Sequence, residues 1–232
     1  MSRFLSAAAP PAAVQSHLQQ VFAWMFLGLA ITAGIAGWFA TQNNMTAYFE
    51  ERPGAFWALV VLQLVLVFGL AGFVNRLSAS AATLVFCLYA ALNGLTFAVV
   101  LEIYTTASIV GAFGGAAALF AGMAAYGYVT KRDLSSWGGI LFGALIALIV
   151  VAVIHMFTGG ETLNLIIGFA GVIIFSALTA YDMNKIKQYA PVAGDEDSAR
   201  KMAILGALSL YLDFINLFFS LLRLFGVNVG RD

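Results

Sequence analysis

Seven long apolar runs separated by short polar breaks dominate the chain. Each run has about 20 mostly apolar residues, the length that a helix needs to cross a hydrocarbon layer of roughly 30 Å. Strands are disfavoured because the runs lack the alternation of a membrane barrel, and helices satisfy their backbone groups within one segment. The predicted spans are 21–40, 55–74, 82–101, 107–129, 138–157, 163–181 and 203–226.

The runs predict an all-α integral membrane protein. We expect residues 1–20, which are rich in Ala and Pro, to form a disordered cytoplasmic tail, and residues 21–232 to form a single membrane domain. The first run is expected to stay in the protein, because the small residues precede it, whereas the cleavage site of a signal peptide follows its apolar run. The sixth helix is expected to continue to about Tyr189, where Pro191 would stop it.

Composition excludes several classes of protein. Of the 232 residues, 62% are hydrophobic and 9% are charged, whereas a soluble domain has about 25% charged residues. Eleven basic residues balance eleven acidic ones, so the chain has no broad basic surface and no nucleic-acid partner is expected. The single cysteine, Cys87, lies inside an apolar run and excludes a disulfide framework.

The distribution of basic residues predicts the orientation, because cytoplasmic loops carry an excess of Lys and Arg. Eight basic residues fall on the side of the N-terminus and three on the other side. We therefore expect a cytoplasmic N-terminus and, after seven spans, a C-terminus that faces outward. The first group is Arg3, Arg76, Lys131, Arg132, Lys185, Lys187, Arg200 and Lys201, and the second is Arg52, Arg223 and Arg231.

The last predicted span carries a polar stripe. Asp213 stands about 10 residues, or roughly 15 Å, inside this span, where a carboxylate costs at least about 2.5 to 3.5 kcal/mol. Polar residues flank it at helical spacing, so the stripe cannot face lipid and the C-terminal helix is expected to lie at the centre of the bundle. The stripe consists of Ser209, Asp213, Asn216, Ser220 and Arg223.

A second acidic residue, Asp182, closes the sixth span. Because the sixth and seventh spans are antiparallel neighbours, Asp182 and Asp213 approach similar depths from the same side, with a mismatch of about one helical turn. Two carboxyl groups held together away from water cannot both ionise cheaply, so the pair is expected to share one proton near neutral pH. Losing that proton would separate the helices or admit a cation such as calcium, which favours carboxylate oxygens.

Alternatives to this interpretation stay open. Each aspartate could cap a neighbouring helix or pair permanently with a basic residue. Arg76, at the cytoplasmic end of the second span, either reaches the lipid headgroups or turns inward as a latch on the aspartates. Glu102 and His155 are interpreted as residues of the membrane edge.

Three segments carry a resemblance to a known family. LYAALNGLTF (88–97), SALTAYDMNKIK (176–187) and above all ALSLYLDFINLFFSLLRLFG (207–226) are similar to the Bax inhibitor-1 family, in its bacterial YccA-like branch. The resemblance spans residues 21–226. It implies a seven-helix bundle of the bacterial inner membrane, with an aspartate pair at Asp182 and Asp213 that senses pH for calcium leak, and an arginine latch at Arg76.

The leading hypothesis is therefore a pH-sensitive, calcium-permeable leak channel that needs no cofactor. Some bacterial relatives in this family modulate a membrane-bound ATP-dependent protease, so a regulatory partner of such a protease is the alternative. An enzyme is not expected. Asp213 lacks the Gly-x-Gly-Asp sequence of intramembrane aspartyl proteases, and the chain has no Gly-x-Ser-Gly sequence for rhomboid-type serine chemistry.

Overall fold

The computed structural model describes residues 11–42, 44–188, 190 and 196–229. Within them the chain is all-α, and seven of its helices are long and apolar enough to cross a membrane, which confirms the predicted fold class. The helices are α1 (Pro11–Gln42), α2 (Met45–Glu51), α3 (Pro53–Phe73), α4 (Ala79–Ile103), α5 (Thr106–Val129), α6 (Gly138–Thr158), α7 (Glu161–Gln188) and α8 (Glu196–Phe225).

The bundle has two ends, which we call the N-terminal face and the C-terminal face. The N-terminal face holds the start of α1, a 3₁₀ turn at Val74–Arg76, the connection from α5 to α6, and the start of α8. The C-terminal face holds α2, the turn from α4 to α5, the turn from α6 to α7, and residues 226–229. The turn from α6 to α7 contains Gly159 and Gly160 at φ +65° and +101°, a conformation that favours glycine.

The last helix, α8, lies at the centre of the bundle, as its polar stripe predicts. It packs against α7, α1, α5 and α4. In its most apolar stretch 67% of the residues are buried, compared with 11% in α3 and 6% in α6. The other long helices divide into two groups beside α8, one in which α4 joins α1 and α3, and one in which α7 joins α5 and α6.

Aromatic packing attaches α8 to the first of these groups. The ring of Tyr211 on α8 meets Phe86 and Tyr89 of α4 edge to face, each with ring centroids 5.9 Å apart. The Tyr211 hydroxyl lies 2.6 Å from Oγ1 of Thr32 on α1, and Thr32 in turn donates to the carbonyl oxygen of Ala90. A buried hydroxyl needs such partners, so this contact fixes α8 against α1 and α4.

The predicted tail needs a correction. Residues 1–10 lie outside the described part of the chain, but α1 begins at Pro11, so residues 11–20 are helical rather than disordered. The physical reason is packing, because His17 and Leu18 are buried against the bundle. At the other boundary the expectation is confirmed: α7 continues past its apolar part to Gln188.

The short helix α2 was not predicted. Its first turn is held by the carboxylate of Glu102 on α4, which accepts hydrogen bonds from the backbone N–H groups of Met45 and Thr46, each at 2.8 Å. Asn44 completes the cap by accepting from the N–H of Ala47 at 3.0 Å. Glu102 is thus half-buried and structural, whereas the sequence indicated only a loop end at the membrane edge.

Candidate functional site

A cavity of about 900 Å³ runs along one side of α8, between α3, α4, α6 and α7. All five residues of the predicted stripe line it, together with Asp182 of α7. The stripe extends over 14 residues from Ser209 to Arg223, or about 21 Å at 1.5 Å per residue. The structure therefore gathers the predicted polar residues along one cavity, and we call it the α8 cavity.

The two aspartates lie at the end of the α8 cavity nearer the N-terminal face. Asp213 has only 4% of its surface exposed, and its Oδ2 is buried without a hydrogen-bond partner. Asp182 is half-buried on the adjacent helix α7 and lines the same cavity as Ser209 and Asp213. Both carboxyl groups belong to the lining of the same end of the cavity. The two carboxyl groups thus form one acidic centre.

Buried apolar residues lie between this acidic centre and the N-terminal face. The α8 cavity is lined by no residue of α7 beyond Asp182 and none of α8 before Ser209. Asp182 lies six residues before the end of α7 at Gln188, or about 9 Å. On this side of the acidic centre α7, α8 and the 3₁₀ turn contribute five buried apolar residues to the hydrophobic core, which we call the plug: Val74, Met183, Ile186, Ile204 and Leu208.

The middle of the stripe is less polar than its sequence indicates. Asn216 donates its amide hydrogen to the carbonyl oxygen of Leu212 at 2.8 Å, and Ser220 donates to that of Asn216 at 2.7 Å. These bonds to their own helix use the hydroxyl hydrogen of Ser220 and one of the two amide hydrogens of Asn216. Ser220 also packs against Gly171 of α7, where a Cβ atom would clash with the hydroxyl. Apart from Asn216 and Ser220, the middle of the cavity is lined mainly by apolar side chains.

A second polar cluster closes the cavity at the C-terminal face. The Arg223 guanidinium donates to Oδ1 of Asn164 on α7 at 3.0 Å. Tyr104 and His155 also line this end, and Nε2 of His155 lies 3.2 Å from the carbonyl oxygen of Gly160. Sequence analysis named Arg223 but not Asn164, because an amide near a helix end gives no periodic signal.

The predicted latch residue is not brought to the aspartates. Arg76 is exposed at the N-terminal face, with its guanidinium 5.8 Å from the centre of the Phe73 ring. In the part of the chain that the structure describes, salt bridges join Arg52 to Glu51 and Lys201 to Asp197, and none involves Arg76. The 3₁₀ turn explains this placement, because it buries Val74 and leaves Arg76 outward. The latch contact is not made in the structure.

Two residues after Asp182, a buried amide that sequence analysis missed ties α7 to the connection from α5 to α6. Asn184 is 2% exposed. Its Nδ2 donates to the carbonyl oxygens of Gly127 at 3.2 Å and Arg132 at 3.4 Å. Its Oδ1 accepts from the N–H of Leu134 at 3.2 Å and from Nε2 of Gln188 at 2.7 Å. This contact satisfies the full hydrogen-bonding capacity of the side chain.

Resident metal binding has little support in this arrangement. No group of three or more His, Cys, Asp or Glu side chains comes together among the residues the structure describes. Calcium prefers six to eight oxygen ligands, and the acidic centre offers the carboxylates of Asp182 and Asp213 with the hydroxyl of Ser209. The described side chains of the acidic centre thus supply fewer oxygen ligands than calcium prefers.

The fold and the site define a seven-span helical membrane protein with an acidic centre beside a central C-terminal helix. Comparison with known proteins agrees with this class. The profile of the family described as "Inhibitor of apoptosis-promoting Bax1" matches residues 14–230. The chain therefore belongs to the Bax inhibitor-1 family, as its motifs indicate.

Several relatives are similar over nearly the whole chain. The inner membrane protein YbhL of Escherichia coli is 42% identical over 221 residues, which cover 94% of each chain. A protein of Borreliella burgdorferi is 40% identical over 90% of each chain, and one of Deinococcus radiodurans is 39% identical over 94% of this chain and 91% of its own.

Proposed function

We propose that the protein is a pH-sensitive, calcium-permeable leak channel, in which the acidic centre of Asp182 and Asp213 is the proton sensor. The observation that carries the proposal is the buried, unpartnered Oδ2 of Asp213 in a cavity shared with Asp182. An ionised carboxylate buried without a partner is costly, so one proton on the pair stabilises the closed arrangement.

The plug is the gate in this proposal. It consists of buried apolar side chains of α7, α8 and the 3₁₀ turn after α3, on the side of the acidic centre toward the N-terminal face. Loss of the shared proton leaves two negative charges on packed helices, and their repulsion separates α7 from α8 where the plug residues meet. The positive charge of Lys185, three residues after Asp182 on α7, offsets part of this repulsion. Channel opening is therefore expected as pH rises.

Calcium is the proposed permeant ion. Carboxylate oxygens are the ligands that it favours, and the ionised pair offers them at the end of the cavity next to the plug. We also propose that the N-terminal face is cytoplasmic, from the eight basic residues against three. The name of the relative YbhL supports an inner-membrane location. A reporter fused at Asp232 tests the orientation, and a cytoplasmic signal from it would reverse the assignment.

Calcium flux from proteoliposomes tests the function. The full chain is reconstituted with an entrapped calcium indicator, and the leak rate is measured from about pH 6 to pH 8, a range that brackets neutrality. We expect the leak to rise with pH in the wild type and to lose this dependence in Asp213→Asn and in Asp182→Asn. The matched control is Glu50→Gln, an exposed carboxyl group away from the cavity, which should behave as wild type.

Folding is checked separately, by thermal unfolding of each variant in detergent. A calcium leak that ignores pH and survives Asp213→Asn contradicts the proposal. The alternative function, modulation of a membrane-bound ATP-dependent protease, stays a prediction. The sequence assigned residues 1–20 to this regulatory role. Residues 1–10 lie outside the described part of the chain, and residues 11–20 belong to α1.

A further inference from the structure

We propose that the α8 cavity holds one acyl chain of an anionic phospholipid, whose headgroup binds Arg223 at the C-terminal face. This inference goes beyond the proposed function, because it concerns the polar cluster at the opposite end of the cavity and the apolar wall below it, and it depends on neither the charge of an aspartate nor ion flux. Three features of the structure support it: a cationic polar cluster at headgroup level, an opening of the cavity toward the lipid, and a depth that matches one leaflet.

The polar cluster is built from four helices. Tyr104 directly follows α4, His155 lies three residues before the end of α6, Asn164 lies three residues after the start of α7, and Arg223 lies two residues before the end of α8. All four side chains line the cavity. Because helix ends mark the edge of the hydrocarbon layer, the cluster lies where lipid headgroups meet the chains.

The charge of this cluster favours an anion. Arg223 is half-buried, and one of its guanidinium nitrogens donates to Asn164. A guanidinium group has five N–H donors, so others remain for a ligand. No carboxylate of the described residues forms a salt bridge with it. Glu161, one turn before Asn164, is exposed and does not line the cavity. A guanidinium group in this position suits a phosphate, which it binds in a forked geometry.

The cavity opens sideways between α3 and α6. Within the bundle α3 packs against α4 and α2, and α6 packs against α7, but these two helices form no extensive contact with each other. Leu64 of α3 and Ile149 of α6 both line the cavity and are 49% and 48% exposed. Leu64 and Ile149 form the two edges of the opening, and both are half-exposed on the lipid side of the bundle. The opening therefore faces the bilayer. A lipid chain is therefore the neighbour that can enter it.

The depth of the cavity fits one leaflet. From Arg223 to Asp213 the helix rises over ten residues, or about 15 Å, which is half of a hydrocarbon layer of roughly 30 Å. Over this depth the Ser220 hydroxyl and one amide hydrogen of Asn216 are bonded to carbonyl oxygens of their own helix. The remaining wall is apolar, as an acyl chain requires, and includes Val67, Val100, Leu148, Ile167 and Phe219.

Native mass spectrometry of the full chain tests the proposal. Palmitoyl-oleoyl phosphatidylglycerol, the phosphatidylcholine with the same chains, and oleate are titrated in turn onto the delipidated protein. We expect one retained phosphatidylglycerol, bound about tenfold more tightly than phosphatidylcholine, since a charged hydrogen bond has this magnitude. Arg223→Gln should remove the preference. Arg52→Gln, which changes an exposed arginine of the same face outside the cavity, should keep it.

A second pair of variants tests the location of the chain. Ala152 lines the cavity, whereas its neighbour Val153 is exposed on the lipid side. Ala152→Phe should lower the affinity for phosphatidylglycerol, and Val153→Phe should not. Equal binding of the two phospholipids by the wild type, an unchanged preference in Arg223→Gln, or retention of oleate in place of phosphatidylglycerol would each overturn the proposal. Calcium flux is not measured in this experiment, so the two proposals fail separately.

Discussion

Asn184 of α7 donates a hydrogen bond from Nδ2 to the carbonyl oxygen of Gly127 on α5, at a distance of 3.2 Å. Asn184 lies two residues after Asp182 on the same helix. A shift of α7 at the acidic centre therefore pulls on the connection between α5 and α6. Lys187, further along α7, reinforces this link by donating to the carbonyl oxygens of Tyr128 at 2.7 Å and Thr130 at 3.1 Å.

Replacing Asn184 should destabilise the protein strongly. In Asn184→Ala the buried N–H of Leu134 and the carbonyl oxygen of Gly127 lose their partner, and each unsatisfied buried group costs about 1 to 3 kcal/mol. We expect a clear fall in Tm, measured by thermal unfolding in detergent. The control is Gln188→Ala, which removes one exposed partner of Asn184 and should lower Tm much less. An equal fall in Tm for the two variants would show that the hydrogen bonds of Asn184 to the connection between α5 and α6 do not stabilise the protein.

The close approach of α5 and α7 at Gly127 gives a second prediction. A Cβ atom at Gly127 would collide with the backbone of Ala180, so Gly127→Ala should force the helices apart and cost about 1 to 3 kcal/mol. Gly122 is a matched control on the same helix, because a Cβ atom there meets nothing within 4 Å. Gly122→Ala should raise Tm slightly through helix propensity. Thermal unfolding of both variants decides the matter, and a stable Gly127→Ala protein would contradict the structure.

The carboxylate of Glu102 should control the order of α2. In Glu102→Ala the N–H groups of Met45 and Thr46 lose their acceptors, and the loss of a helix cap has a typical cost of about 1 kcal/mol. We expect amide hydrogen exchange in α2 to accelerate about fivefold, with exchange in α8 unchanged. Glu50→Ala, an exposed position within α2, should leave the rates as they are. Unchanged exchange in Glu102→Ala would refute the capping role.

Asp133, in the connection between α5 and α6, provides a pH prediction outside the membrane spans. Hydrogen bonds from the Ser135 side chain, the Ser135 N–H and Gln188 hold the pKa of Asp133 below its ordinary value of 3.8. A lowered pKa in the folded protein means that the stabilisation is present above the ordinary pKa and is lost as pH falls through the folded one.

We therefore expect Tm of the wild type, relative to that of Asp133→Asn, to fall as pH drops below about 4. The advantage of the wild type should be constant between pH 6 and pH 8, because Asp133 stays ionised there. Thermal unfolding across this pH range makes the measurement. A wild-type advantage that changes near neutral pH would instead link Asp133 to the proton response proposed for Asp182 and Asp213.

Much of the fold follows from the sequence because lipid makes polar residues costly. Seven apolar runs of sufficient length predict seven spans, and the stripe from Ser209 to Arg223 predicts that α8 is surrounded. The same reasoning places Asp182 and Asp213 at similar depths. Each of these conclusions rests on a local pattern, either a length or a helical period.

Other features depend on distant contacts that leave no local pattern. The bonds of Asn184 reach residues 50 to 57 positions away, and α2 depends on Glu102, which lies more than 50 positions further along the chain. The opening between α3 and α6 also leaves no pattern in the sequence. Both helices are apolar on all sides, so their sequences do not indicate which side packs against a neighbouring helix and which side faces lipid. The outward position of Arg76 follows from a 3₁₀ turn that the apolar pattern does not mark.

The central position of α8 constrains the order in which the protein is made. Because synthesis proceeds from the N-terminus, the helix that the others surround leaves the ribosome after them. Six spans must then wait in the bilayer, with Tyr89 and Thr32 still lacking the aromatic ring and hydroxyl that Tyr211 brings. The two groups of helices beside α8 therefore lack their shared packing partner until α8 is inserted, and its insertion joins them into one bundle.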